Sequence, residues 1–171
     1  DVGARVAMKH PLLHPVALGA LALLVVNDHV LKRVCPSFLT GKLSDFAGVF
    51  VLPLVLSGAF EVFARRTTVT ARAANRVLLV SVIATMVVFS AVELWTPAET
   101  FYRYSIGVMQ WPFRAVFSFL RSGNLPGVAP VGATADATDL AALPMGLVAF
   151  AFGAQRTQRT SAAVSSVARS A

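Results

Sequence analysis

Four long apolar runs decide what this chain can fold into: Pro15 to Leu31, Asp45 to Ala64, Val77 to Trp95 and Asp139 to Ala154. A helix needs roughly 20 mostly apolar residues to cross the hydrocarbon of a bilayer, and each run approaches that length, the last being the shortest. Backbone N–H and C=O groups find no water in lipid, so a run of this kind crosses as a helix that satisfies them internally. The expectation is an all-α membrane protein of four transmembrane helices, two helical hairpins in one domain over residues 1–154.

The polar residues agree with this reading. Of the 171 residues, 13% are charged and 56% hydrophobic, too few charges to solvate a globule. The formal charge of +7 resides in loops between apolar runs, where lipid phosphates are the nearer partner. Membrane lipids are therefore expected partners and nucleic acid is not. Cys35 is alone, so no intrachain disulfide forms. The chain opens on Asp1 rather than Met, so a native start upstream is expected.

Lys and Arg also set an orientation. Arg5, Lys9, Arg65, Arg66, Arg72, Arg76, Arg156, Arg159 and Arg169 fall on the side shared by both termini. Lys32, Arg33, Lys42, Arg103, Arg114 and Arg121 fall on the other. The excess, concentrated in the short loop 65–76, puts both termini in the cytoplasm. In the long third connection, Gly107, Gln110, Arg114, Ser118 and Arg121 recur at helical spacing among Met109, Trp111, Phe113, Val116, Phe117 and Leu120. That pattern predicts an amphipathic helix near 104–121 in the membrane interface, with a helix packed back on the bundle or a re-entrant hairpin as alternatives. Residues 155–171, rich in Ser, Thr, Ala and Arg, read as a disordered cytoplasmic tail.

Ionisable residues in or beside spans cost about 2.5 to 3.5 kcal/mol each at a helix centre, so their placement carries information. The first span ends with Asn27, Asp28, His29 and Lys32; the second opens with Lys42, Ser44 and Asp45; the third ends with Glu93; the fourth opens with Asp136, Thr138 and Asp139. An up-and-down bundle would bring these to one outward-facing polar rim. Asp28, His29, Lys42, Asp45, Glu93, Arg103 and Asp139 are the candidate ligand-binding residues. Glu61, near the other end, has Arg65 one turn away and is explained by an ion pair.

Each feature also has a plainer account. SerAspPheAlaGly (44–48) and ThrAspLeuAlaAla (138–142) resemble a weak repeat, each followed by a proline, Pro53 and Pro144. Ser or Thr before Asp is equally the pattern of a helix N-cap. The rim itself reads either as a headgroup-binding cavity or as a self-satisfied salt-bridge network. His29 beside carboxylates has the chemistry for proton transfer, but no spacing marks a metal site and no cofactor motif is present. His10 and His14 read as interface residues at the cytoplasmic end.

GlyLysLeuSerAspPhe (41–46) opening a span, Glu93 closing the next, Arg103 after it, and Asp139 with Gly146 seven residues on resemble the VanZ-like membrane proteins. The match covers residues 40–153. It departs where Asp45 stands in place of the family's His, Thr96 in place of Gln and Leu143 in place of Asn, so the resemblance carries no proton chemistry of that His over to this chain. The resemblance implies a small multi-pass protein of the bacterial cell envelope, in the inner membrane, some members being associated with reduced susceptibility to glycopeptide antibiotics. Three functions follow as alternatives: binding of a lipid headgroup or cell-wall precursor at the rim, a structural subunit packed against membrane-protein partners through small residues, or an intramembrane lipid-modifying enzyme. The absence of a Ser-His-Asp order or HExxH leaves enzyme chemistry the less favoured.

Overall fold

The computed structural model describes residues 10–63, 70–132 and 134–170, with side chains described as far as Arg159. Among the described residues five long helices follow one another: α1 (Pro15–Val34), α2 (Phe38–Phe63), α3 (Ala71–Leu94), α4 (Thr96–Ser122) and α5 (Pro144–Ser170). Four segments of the described residues, Pro15–Val34, Phe38–Phe63, Ala71–Leu94 and Ala137–Arg159, are long and apolar enough to cross a membrane. No strand occurs among the described residues. The all-α membrane protein expected from the apolar runs is the fold found.

The chain divides into two compact units: Asp1–Val87 with Ala141–Ala171, and Val88–Leu140. The third connection holds a helix and an extended segment that bond to each other, which gives it a packing of its own. In the first unit all four spans contribute to one core of Ala17, Phe50, Val51, Leu54, Leu78, Val82 and Ala149. Leu54, Ala17 and Ala149 are wholly buried. Along α5, Gly146, Ala149 and Gly153 lie on one face, where Gly146 meets Met86 and Gly153 meets the Leu78 side chain. Small residues let the backbones approach closely, the usual basis of helix association in lipid. The outer faces carry Val16, Leu18, Leu23, Val80 and Ile83, all exposed, an apolar exterior suited to acyl chains.

Helix boundaries differ from the expected ones for identifiable reasons. α2 begins at Phe38, seven residues before Asp45, because Ser37 and Thr40 cap it reciprocally: Thr40 N–H donates to Ser37 Oγ at 3.2 Å and Ser37 N–H donates to Thr40 Oγ1 at 3.0 Å. Ser44 and Asp45 therefore sit within the helix and do not cap it. Thr138 and Asp139 are not caps either, since the cap is Asp136, whose Oδ1 accepts from Thr138 N–H at 2.8 Å. Pro53 lies inside α2, whereas Pro144 is the first residue of α5, so the two segments are not structural repeats. α3 starts at Ala71 rather than Val77, with Thr70 Oγ1 accepting from Ala73 N–H at 3.3 Å. α4 starts at Thr96, earlier than expected, with only Trp95 between it and α3. The segment read as a disordered tail continues α5 as helix through Ser170, because nothing from Gln155 on is Gly or Pro to stop it. Arg65, and with it the expected pair with Glu61, lies outside the described residues.

Candidate functional site

The first polar cluster arises where α1 departs from α-helical geometry. Asn27–Leu31 form a π-helical turn in which Lys32 N–H reaches back five residues to Asn27 O. The turn sets Asn27 inward, wholly buried. Its Nδ2 donates to Thr40 O and to Ser44 Oγ, each at 2.6 Å. Ser44 Oγ in turn donates to Asp28 Oδ1 at 2.5 Å, and Lys32 Nζ lies 2.9 Å from the same oxygen. The direction of every proton is determined: a reversed amide would set one carbonyl oxygen against another at Thr40. Asn27 Oδ1 is buried without a hydrogen-bond partner among the described residues. At the open end of this chain the Lys32 and Asp28 side chains are about 40% exposed, 41% and 42% respectively.

Three further candidates belong to this unit. His29 turns back on its own helix, Nδ1 lying 3.0 Å from Val25 O. Lys42 Nζ lies 5.0 Å from the centroid of the Phe38 ring, and Asp45 is engaged in polar contacts of its own.

The second cluster belongs to the second unit. Residues 124–132 run back along α4, antiparallel to it. Trp111 Nε1 donates to Pro126 O at 2.8 Å, Arg103 Nε donates to Val131 O at 3.0 Å, and Val131 N–H donates to Arg103 O at 3.1 Å. Between these anchors the backbone at Ala129 passes directly over Gly107, where any Cβ would overlap the Ala129 carbonyl oxygen. The Asp136 N–H donates to Glu93 Oε2 at 2.8 Å. Arg103 also pairs with Glu99, one turn away, at 3.6 Å. Asp139 N–H donates to Asp136 O at 2.8 Å within the 3-10 turn Ala137–Ala142. Glu93 and Arg103 thus hold a strap of extended chain, a role nothing in their spacing announced.

A third polar contact lies at the opposite end of the first unit, where His10 was expected to be an interface residue. His10 Nε2 lies 3.3 Å from the buried Ser57 Oγ, a pairing that in a hydrolase activates the serine. Here the proton runs the wrong way for a general base. Nδ1 accepts from Leu12 N–H at 3.1 Å, which leaves the neutral ring its proton on Nε2, and Ser57 Oγ donates onward to Leu54 O at 3.0 Å. The contact clamps the start of α1 to α2, with the imidazole lying against Gly58. Burial holds the His10 imidazole below its usual 6.5. Unfolded chains therefore take up this proton at higher pH than folded ones, and stability falls as pH drops through 6.5. Thermal unfolding in micelles should show that decline in the wild type, with a smaller one in His10→Gln; identical slopes would exclude the clamp. His14 caps α1 through Val16 N–H at 3.2 Å and meets the Phe152 ring edge-on at 5.3 Å.

Among the described residues, no group of three or more His, Cys, Asp or Glu is placed to hold a metal ion. No protein-family model, curated protein or solved structure matches the chain.

Proposed function

We propose that this chain is a VanZ-like integral membrane protein of the bacterial cell envelope, held in the inner membrane with both termini cytoplasmic, that binds a zwitterionic or phosphate-bearing headgroup of a lipid or cell-wall precursor. The observation that carries this reading is the Asp28–Lys32 pair at the end of the first span. It presents an ammonium and a carboxylate side by side, partly exposed, and is fixed from beneath by Ser44 and the buried Asn27. A phosphate and an amine on one headgroup complement such a pair. The motif resemblance over residues 40–153 is consistent with an envelope location but adds no chemistry, since Asp45 stands where the family carries His.

Lys32→Ala removes the phosphate partner while leaving the buried hydrogen bonds of Asn27 in place. Lipid retained through purification, quantified by mass spectrometry, should then fall about fivefold, as loss of one partly exposed ionic contact worth about 1 kcal/mol implies. Unchanged retention would reject the site. A structural-subunit role draws support from a different observation: Gly19, Gly41 and Gly48 each face open space, where a partner helix could approach closely.

A further inference from the structure

The structure points to a second lipid contact, independent of the Asp28–Lys32 pair. We infer that α4 docks in the plane of the bilayer surface, its uncovered apolar face in the acyl chains and its arginines on the phosphates of anionic lipid.

Three observations carry this. The strap 124–132 covers the side of α4 that holds Arg103, Gly107 and Trp111, and leaves the far side bare. On that bare side Met109, Phe113, Val116 and Leu120, at i, i+4, i+7 and i+11, are all exposed, Leu120 to 79%. Secondly, only Trp95 separates α4 from a span, so its first residue stands where the chain leaves the hydrocarbon. Thirdly, Arg103, Arg114 and Arg121 are spaced by 11 and 7 residues and return to one face within about 20° at 3.6 residues per turn. They are distributed along the whole helix. A crossing pose would bury Arg103 about 10 Å into the hydrocarbon, at a cost approaching the roughly 2.5 to 3.5 kcal/mol of a charge at a helix centre, whereas an in-plane pose sets Arg114 and Arg121 at phosphate level. Arg114 and Arg121 are exposed and available for that contact.

The test places single spin labels at Met109→Cys, Val116→Cys and Leu120→Cys, each in a Cys35→Ser background, with the full chain in nanodiscs of phosphatidylcholine and phosphatidylglycerol. Depth is read from collision with oxygen against a water-soluble nickel chelate. The expected result is one depth for all three, within about 3 Å, with a label at Gln110→Cys on the arginine side about 10 Å shallower, the width of a helix. A steady gradient of about 16 Å from 109 to 120, the rise over 11 residues, would mean that the helix crosses and would overturn the inference. Labels shielded from both relaxants would overturn it too, by showing a protein surface on this face. Should a label loosen the helix, brominated lipid quenching of Trp111 in Trp95→Phe reads the same depth from an unlabelled face. Strong quenching by bromine near the headgroup is expected, and quenching only by bromine at the chain ends would again overturn it.

Discussion

Replacing Gly107 with valine should lift the strap off α4. The atom in the way is the carbonyl oxygen of Ala129, part of the backbone, which has no rotamer by which to retreat. Overpacking of this kind costs about 1 to 3 kcal/mol, and the Arg103–Val131 pair of hydrogen bonds on one side and the Trp111–Pro126 bond on the other are strained with it. A total near 3 kcal/mol raises the open population roughly a hundredfold. Hydrogen exchange at the Val131 amide, protected in the wild type by Arg103 O, is the direct readout. Gly123→Ala is the control, because Gly123 has positive φ but open space around it, so it loads the turn and not the strap. Equal exchange in Gly107→Val and wild type would mean that the strap is not seated on this glycine.

The second large effect is expected at Asn27. Asn27→Asp preserves shape while turning both amide protons, now donated to Thr40 O and Ser44 Oγ, into a lone-pair-bearing oxygen at a wholly buried position. A buried charge without a partner costs about 3 to 5 kcal/mol, which in a chain of this length lowers the melting temperature by about 10 °C or more. Asn27→Leu removes the same hydrogen bonds without adding charge. It should cost only about 1 kcal/mol, because hydrogen bonds between membrane helices average less than that each. The contrast between the two is the result that matters. Similar small losses would show that water reaches this position and that the cluster is not sealed.

The spans were legible because apolar length is a property of sequence alone, whereas their ends depend on capping chemistry that competes locally. Gly41 and Lys42 suggest a turn before Ser44, yet the Ser37–Thr40 capping box starts α2 earlier and carries both into the helix. The candidate residues divide in the same way. Asp28 and Lys32 were visible as charges ending an apolar run, and their geometry follows from one turn of helix. The strap was not visible, since its anchors on the returning chain are the carbonyls of Pro126, Ala129 and Val131, groups that every residue possesses. The glycine beneath it offered a faint signal, absorbed at first into the amphipathic pattern. His10 and Ser57 are 47 residues apart and joined by tertiary packing alone. Helix α5 beyond Gln155 shows that polar composition without Gly or Pro is compatible with helix as well as with disorder.

The π-helical turn at Asn27–Leu31 has a consequence for how this protein can change. Such a turn amounts to an insertion of one residue that the helix absorbed without losing its axis. Deleting a single residue between 29 and 31 would return the segment to ordinary α-helical winding and leave the residues on either side in register. Pro15–Asn27 would keep its register, and Lys32 would remain beside Asp28, three residues on instead of four. A lineage carrying this fold can thus gain or lose one residue here in a single indel step, with the ion pair and the core indifferent to the change.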